Sequence, residues 1–399
     1  MALGEERSWV LFASLRTLGR GYFTQRGVPR FLLFFFSSPF FFLLHLFFFS
    51  PFFHSTMAKP EGLTPLAWAA SKGNVTIVAL MLGKEDVCPD MPDEEGRTPL
   101  SWAAQGGHAA VVELLLQRQD VDPDLPDSDG QTPLSWASSN GHTGVVRQLL
   151  ERKDVMPDTK DSSARSALSW AAISGHEEVV SLLLERPDVN PNSRDSEGRT
   201  PVSLASEMGK VEVVKLLMGK KGIALDLVDN VGRTPLSWAA GEAKYQVVSL
   251  LLEHDDVNPN LPDTRGQVPL LYPAAFGNVQ VVKTLLERED ICPDIPCVYG
   301  RAPLWHAVYG GHNGVVKLLL EREDVDPNRC DDHGRTPLSW AAIRGDYETV
   351  ILLLERGDID ADIADRSGNT PYMHALAAGH QAVEMILVNW RDTHVSIVH

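Results

Sequence analysis

A repeat of 34 residues constrains the fold of this chain more than any other feature of its sequence. The tripeptide Thr-Pro-Leu, or a close variant of it, begins ten times at that spacing without a break in register. The starting positions are Thr64, Thr98, Thr132, Ser166, Thr200, Thr234, Val268, Ala302, Thr336 and Thr370. Because one short unit cannot bury an apolar face alone, we expect successive copies to stack around one continuous core.

The first half of each unit predicts a short helix. In the second copy, Thr98 can cap a helix whose first residue is Pro99, where the missing N–H of proline costs nothing. Ala103 and Ala104 are small enough to let a neighbouring helix approach closely. Gly107 tolerates a positive φ and is expected to end this helix in a tight turn.

The second half predicts another helix and then a polar loop. The apolar residues of this second helix are Val111, Val112, Leu114, Leu115 and Leu116. They cover so much of its circumference that neighbouring copies must pack on more than one side. The following stretch, residues 120–130, carries the Asp, Pro and Gly typical of an extended segment and a tight turn. The predicted fold class is therefore all-α, a solenoid of about ten helix-turn-helix repeats with hairpin-like loops.

This unit resembles the ankyrin repeat, whose pattern is D-x-x-G-x-T-P-L-H-x-A-A-x-x-G-H-x-x-V-V-x-x-L-L-L. Tetratricopeptide repeats share the length, so the resemblance rests on content, and it covers residues 60 to about 390. Two departures recur: the motif His is mostly Ser followed by Trp, as at Ser101 and Trp102, and the Pro-Asp loop has one extra residue. The P-L-S-W-A-A sequence of the repeats is similar to that in the repeat arrays of fungal ankyrin proteins, including those of fungal NOD-like receptors.

Residues 1–56 differ from the ankyrin-repeat domain predicted for residues 57–399. The run 31–53 consists almost wholly of Phe, Leu, Ser and Pro. Its length suits a single-pass membrane anchor, with the upstream arginines on the cytoplasmic side. The interruptions at Pro39 and Pro51 favour a disordered leader, or a translated non-coding leader with Met57 as the natural start. A cleaved signal peptide is the least favoured, because its apolar region usually spans about 7 to 15 residues.

Charge and cysteine content indicate the kind of partner and compartment. The formal net charge of −17 disfavours nucleic acid and anionic membranes, and it favours basic or polar protein partners. Only the segment 31–53 would bring the chain to a membrane, if it is a real anchor. The four Cys form no C-x-x-C pair, which suits a reducing compartment. We therefore expect a cytoplasmic monomer that binds protein.

The sequence contains no motif typical of catalysis. It has no Gly-x4-Gly-Lys-Ser/Thr phosphate loop, no His-Glu-x-x-His helix and no Gly-x-Ser-x-Gly turn. We expect no catalytic residue, no metal and no cofactor. His108, after a turn glycine, is interpreted as a turn residue, and the acid pair Asp122 and Asp124 as part of a solvated edge, with weak calcium binding as the alternative.

Positions that vary among the ten copies predict where a partner binds. They are the two residues before each hairpin Gly and the two after each Ala pair, which in ankyrin domains line the concave face. Repeats seven and eight depart most from the shared pattern, toward aromatic residues that include Trp305. The predicted partner-binding residues are Arg265, Tyr272, Phe276, Tyr299, Tyr309, His333 and Arg344.

Three further hypotheses stay open on the sequence alone. The row of Trp residues at 68, 102, 136, 170, 238 and 340 could be a binding floor, or each could pack against the next repeat. The chain could be a membrane-tethered ankyrin adaptor. It could also be the targeting subunit of an enzyme complex.

Overall fold

The structure of the protein, a computed structural model, describes residues 62–395. Within this range twenty helices form ten helix-turn-helix pairs, without a β-strand, which confirms the predicted fold class. The Phe-rich run and the alternatives for residues 1–56 lie outside the described residues. No helix between residues 62 and 395 has both the length and the apolar character that crossing a membrane requires.

Each pair has a first helix, next to the hairpin, and a second helix. The first helices are α1 (Pro65–Ser71), α3 (Pro99–Gln105), α5 (Pro133–Ser139), α7 (Ala167–Ser174), α9 (Pro201–Met208), α11 (Pro235–Gly241), α13 (Leu271–Phe276), α15 (Pro303–Gly310), α17 (Pro337–Arg344) and α19 (Pro371–Ala378). The second helices are α2 (Val75–Leu82), α4 (Ala109–Leu116), α6 (Thr143–Glu151), α8 (Glu177–Glu185), α10 (Val211–Met218), α12 (Tyr245–Leu252), α14 (Val279–Leu286), α16 (Asn313–Leu320), α18 (Tyr347–Leu354) and α20 (Gln381–Val395).

The first helices begin as the sequence predicts. The Ser101 N–H donates to Thr98 Oγ1 at 3.1 Å, and Pro99 is the first residue of α3. Ala103 and Ala104 are fully buried, because first helices of adjacent repeats pack on one another. Gly107 has a φ of +70°, the left-handed conformation that a turn into the second helix requires.

The core lies between the two rows of helices. In α4, Val111, Val112 and Leu115 are fully buried, whereas Leu114 and Leu116 are partly buried against neighbouring repeats. Every second helix packs on the second helix of the next repeat, so the core is continuous along residues 62–395. Truncating a buried Leu of this kind to Ala typically costs about 2–5 kcal/mol.

Hydrogen bonds also join the Pro-Asp loops of successive repeats. Asp124 Oδ2 accepts the Met156 N–H at 2.7 Å, while its Oδ1 is buried with no hydrogen-bond partner among the described residues. At the equivalent position Asn192 accepts the Ala224 N–H at 2.9 Å and also donates Nδ2 to the Gly222 carbonyl at 2.8 Å. The interpretation of both loop acids as a solvated edge is thus wrong for the second acid, which links repeats.

Histidines at the turns form a second set of links. The His108 ring bonds through Nε2 to the Ser71 carbonyl of the preceding repeat at 3.1 Å. His142 and His176 make the same contact one and two repeats later. The interpretation of these histidines as turn residues therefore agrees with the structure, and their links hold each turn against the repeat before it.

Repeat seven departs from the regular first helix. Pro273 has no N–H to donate to the preceding turn, and α13 begins only at Leu271, without a side-chain cap. In repeat six, Ala243 occupies the position of the turn glycine with a φ of +55°, which is costly for a residue with a Cβ. Ala164, at the hairpin glycine position of repeat four, shares this feature with a φ of +57°, whereas in repeats six and seven the irregularities affect the first helix and its turn.

Candidate partner-binding surface

In most repeats one aspartate fixes the hairpin to the first helix, as Asp93 does in repeat two. Asp93 Oδ1 accepts the backbone N–H groups of Glu95 and Arg97, at 3.0 and 2.8 Å, and thereby shapes the turn. Its Oδ2 accepts the indole N–H of Trp102 at 2.8 Å. Because both carboxylate oxygens are used, the hairpin and the helix behave as one rigid element.

The Trp residues therefore have a structural role. The Arg97 guanidinium lies 4.7 Å from the Trp102 ring centroid and 5.1 Å from that of Trp136 in the next repeat. The indole N–H bond to the hairpin Asp recurs in the pairs Trp136–Asp127, Trp170–Asp161, Trp238–Asp229 and Trp340–Asp331. For these five Trp residues the structure thus supports the packing interpretation over that of a binding floor, whereas Trp68 of the first repeat is 37% exposed.

The hairpin tips form a continuous row on which three predicted residues lie. The Arg265 carbonyl accepts the Val298 N–H at 3.0 Å, and the Tyr299 and His333 carbonyls each accept an N–H from the following tip. Arg265, Tyr299 and His333 hence occupy equivalent places on successive tips. All three are exposed, Tyr299 by 47%.

Two further predicted residues lie at the ends of first helices. Phe276 is 38% exposed at the end of α13, and Arg344 is exposed at the end of α17. The Arg344 guanidinium donates to the Tyr309 carbonyl and lies 5.7 Å from the Tyr309 ring centroid. Residues three or four places beyond the Trp position share its helix face, so these helix ends lie on the same side of the repeat as the hairpins.

Tyr309 is only partly available to a partner. Its ring stacks on Trp305 with centroids 4.9 Å apart, and it meets Trp340 edge-on at 5.5 Å. Trp305 itself is 4% exposed, so its expected place on the surface is wrong. These three rings form an aromatic cluster that joins repeats eight and nine, and only the outer edge of Tyr309 reaches the surface.

Tyr272 is buried, and its assignment to the binding surface is corrected. It is 6% exposed, donates its hydroxyl to Asp263 Oδ2 at 2.7 Å and accepts from Arg233 Nε at 3.0 Å. Burial, which outweighs the charge of Arg233, raises the pKa of this hydroxyl above its usual range. Counting along the repeat could have identified this role, because Tyr272 holds the register position of Trp238.

The eighth repeat replaces several polar residues of the hairpin network together. Trp305 stands at the position of Ser101, His306 at that of Trp102 and Cys297 at that of Asp93. His306 and Cys297 are buried. Burial, aided by the charge of Arg301, lowers the pKa of His306 to about 3, so this ring is neutral at physiological pH. Sequence analysis missed this apolar substitute for the Asp–Trp bond.

The fifth repeat has a buried ion-pair network in place of Trp. Leu204 takes the Trp position, and the Arg199 guanidinium binds Asp195 at 3.0 Å and Glu207 at 3.2 Å. Burial raises the pKa of Glu207, although Arg199 opposes the shift. Glu207 is thus neutralised internally and presents little charge to a partner.

No side chains in the described part of the chain come together as a metal site. Among residues 62–395 no three His, Cys, Asp or Glu side chains converge as ligands would. Cys88, Cys292 and Cys330 are exposed thiols, and Cys297 is buried.

Fold and surface together define a helical repeat solenoid with an exposed hairpin edge. A family profile of ankyrin repeats, described as three copies, matches residues 40–127, 116–195, 187–263, 255–329 and 313–396. These matches cover most of the chain, which belongs to the ankyrin repeat family. Ankyrin repeats generally mediate protein–protein interaction and are typically non-catalytic. A comparison with curated proteins gave no match.

Proposed function

We propose that this chain is a non-catalytic protein-interaction scaffold that binds its partner on the concave face and the hairpin tips of repeats seven to nine. The observation that carries this proposal is that the aromatic residues fall into two groups, one bonded inside the protein and one exposed. From Trp102 onward the residues of the Trp row donate to internal acceptors, whereas Phe276 and Tyr299 are exposed in the part of the chain that the structure describes. Aromatic and Arg side chains dominate the energetics of protein interfaces.

The contact set combines exposed and supporting residues. Arg265, Phe276, Tyr299, His333 and Arg344 touch the partner directly. Tyr309 offers an edge and supports Arg344, while Tyr272 acts from within by fixing the hairpin of repeat seven. Tyr272 thus holds the hairpin that carries Arg265 in place, which limits the entropy lost there on binding.

Several properties of the proposed scaffold follow from composition. The net charge of −17 supports a basic or polar protein partner in preference to nucleic acid. The sparse cysteines support a reducing compartment, and the proposed scaffold is a cytoplasmic monomer without a cofactor. The P-L-S-W-A-A sequence of the repeats supports a relationship to the recognition arrays of fungal receptors.

The test uses the double variant Phe276→Ala, Tyr299→Ala. The partner is first identified by mass spectrometry of proteins that co-purify with the full chain. Loss of two interface anchors, at about 2 kcal/mol each, should weaken binding at least tenfold. Tyr309 is left intact, because removing it would damage the aromatic cluster with Trp305.

The matched control is Tyr245→Ala, which removes an aromatic ring that is 48% exposed on the second helix α12. We expect the control to bind normally and all variants to unfold at the same denaturant concentration within error. An unchanged affinity for the double variant would refute the proposed surface.

A further inference from the structure

The surface that carries the candidate site is divided by charge. We define the hairpin face as the two residues before each hairpin Gly and the two residues that follow each Ala pair. In repeats two to six this face carries the exposed acids Glu94, Glu95, Asp129, Glu197 and Glu242, and no Lys or Arg. In repeats seven to ten it carries the exposed basic residues Arg265, His333, Arg344 and Arg366, and one acid, Asp332.

The arginines of the hairpin face differ from those elsewhere in their partners. Arg118, between α4 and the Pro-Asp loop, binds Asp120 through two nitrogens at 2.8 and 2.6 Å. Within residues 62–395, neither Arg265 nor Arg366 forms an ion pair, and Arg344 donates only to a backbone carbonyl. In a chain with net charge −17, three arginines without a carboxylate partner favour an anionic group from outside.

Exposed apolar side chains lie among the charged residues of the hairpin face. Val231 and Val298 are 48% and 59% exposed at the hairpin tips, next to Arg265 and Tyr299. Phe276, at the end of α13, adds a third apolar contact. Exposed apolar residues rimmed by charge are typical of a protein-binding surface.

The regular spacing of the hairpin tips also determines what shape of chain segment could bind along them. Successive tips are joined by backbone hydrogen bonds, as between the Arg265 carbonyl and the Val298 N–H, so their spacing is regular. Three steps of roughly 10 Å, the packing distance of helices, separate Arg265 from Arg366. An extended segment of about nine residues spans roughly 30 Å and could contact every tip in this row.

We propose that repeats seven to ten bind an extended protein segment in which acidic residues flank apolar or aromatic anchors, and that basic residues of the same segment lie on repeats two to six. The opposite charges at the two ends of the hairpin face then fix the direction of the bound chain. This inference rests on the proposed scaffold function, and on repeats seven to ten it replaces the basic partner chemistry that net charge alone suggests with a locally acidic segment. Net charge would predict that an acidic peptide is repelled.

The experiment measures the binding of a fluorescein-labelled peptide of twelve residues, composed of Glu with Leu and Trp, to the full chain by fluorescence anisotropy at low and physiological salt. The test variant is the triple reversal Arg265→Glu, Arg344→Glu, Arg366→Glu. We expect it to weaken binding at least tenfold. Binding to the unaltered chain should also weaken as salt is raised.

A matched control makes the same change in net charge on second helices. Arg147→Glu, Lys215→Glu, Lys283→Glu alters three exposed cations of α6, α10 and α14, and we expect a change of less than twofold. An equal loss in the control, or no binding of the acidic peptide to the unaltered chain, would overturn the proposal. Tighter binding of a single-stranded oligonucleotide of equal charge would overturn it in favour of a nucleic-acid surface.

The co-purified partner separates this inference from the scaffold function. If that partner is lost with Phe276→Ala, Tyr299→Ala but retained by the triple reversal, the division by charge is wrong and the scaffold function stands. If it is retained by both variants, the proposed surface itself is wrong. Loss with both variants supports both proposals.

Discussion

Replacing Asp124 by Asn should stabilise the solenoid at neutral pH. Three other repeats already have Asn at this position: Asn192, Asn260 and Asn328. Each accepts an N–H from the next loop and donates its amide to a carbonyl 30 residues further on. Asp124 makes the first bond but leaves Oδ1 buried without a partner in the described structure.

The electrostatics of Asp124 give the size of the effect. Burial raises its pKa from 3.8 to about 6, helped by the nearby charges of Asp122 and Asp154 and opposed by the Met156 N–H and by Arg152. One unit of pKa corresponds to about 1.4 kcal/mol. Because the side chain is only half buried, solvent screening reduces the destabilisation that this pKa shift represents to roughly 1 kcal/mol. A new amide hydrogen bond adds about 1 kcal/mol. We expect Asp124→Asn to gain about 1–2 kcal/mol at pH 7.5.

The pH dependence follows from the sign of the shift. The folded pKa lies above the unfolded one, so the stability linked to the bound proton is complete below pH 3.8 and is lost as pH rises through about 6. The gain from Asp124→Asn should therefore be large at pH 7.5 and clearly smaller at pH 5. Chemical denaturation of both proteins at the two pH values measures this difference.

Asp122→Asn is the control, because it removes the same charge from an exposed side chain in the same loop. Asp122 Oδ1 accepts only the Asp124 N–H at 3.0 Å, a bond that Asn190 makes equally well in its own repeat. An equal gain from Asp122→Asn would show that net charge alone is responsible. A gain for Asp124→Asn that does not change with pH would refute the proposed protonation.

The remaining predictions concern the backbone of repeat six, the Trp row and the difference in local stability between repeats. Ala243→Gly should stabilise the fold by about 1 kcal/mol by relieving the positive φ, whereas Ala240→Gly, inside α11, should destabilise it by a similar amount in urea unfolding. Trp136→Phe should cost about 2 kcal/mol, because the buried Asp127 loses its indole donor, yet it should leave partner affinity within twofold by calorimetry. Hydrogen exchange should show less protection in repeats six to eight than in repeats two to four, and equal protection would contradict the weakness assigned to Pro273.

The sequence predicts the regular parts of the fold well, because they depend on contacts within one repeat. The capping of α3 by Thr98 and the left-handed Gly107 are both local and both confirmed. The burial of Tyr272 and Trp305 is missed because it depends on partners in other elements, Arg233 and Trp340. An aromatic residue that departs from the pattern can equally fill the core or meet a partner, and its neighbours decide which.

The links between turns have a mechanical consequence. Each turn histidine, such as His142, ties its repeat to a carbonyl of the repeat before it, so tension along the solenoid passes through one such link after another. Lys210, Lys244 and Asn278 stand in the place of His in repeats five, six and seven, and none of them makes this bond in the described structure, whereas in repeat nine Arg344 donates to the equivalent carbonyl of Tyr309. Pulled from its two ends in a force spectrometer, the solenoid should yield first at these three consecutive junctions, and the repeats on either side should unfold later.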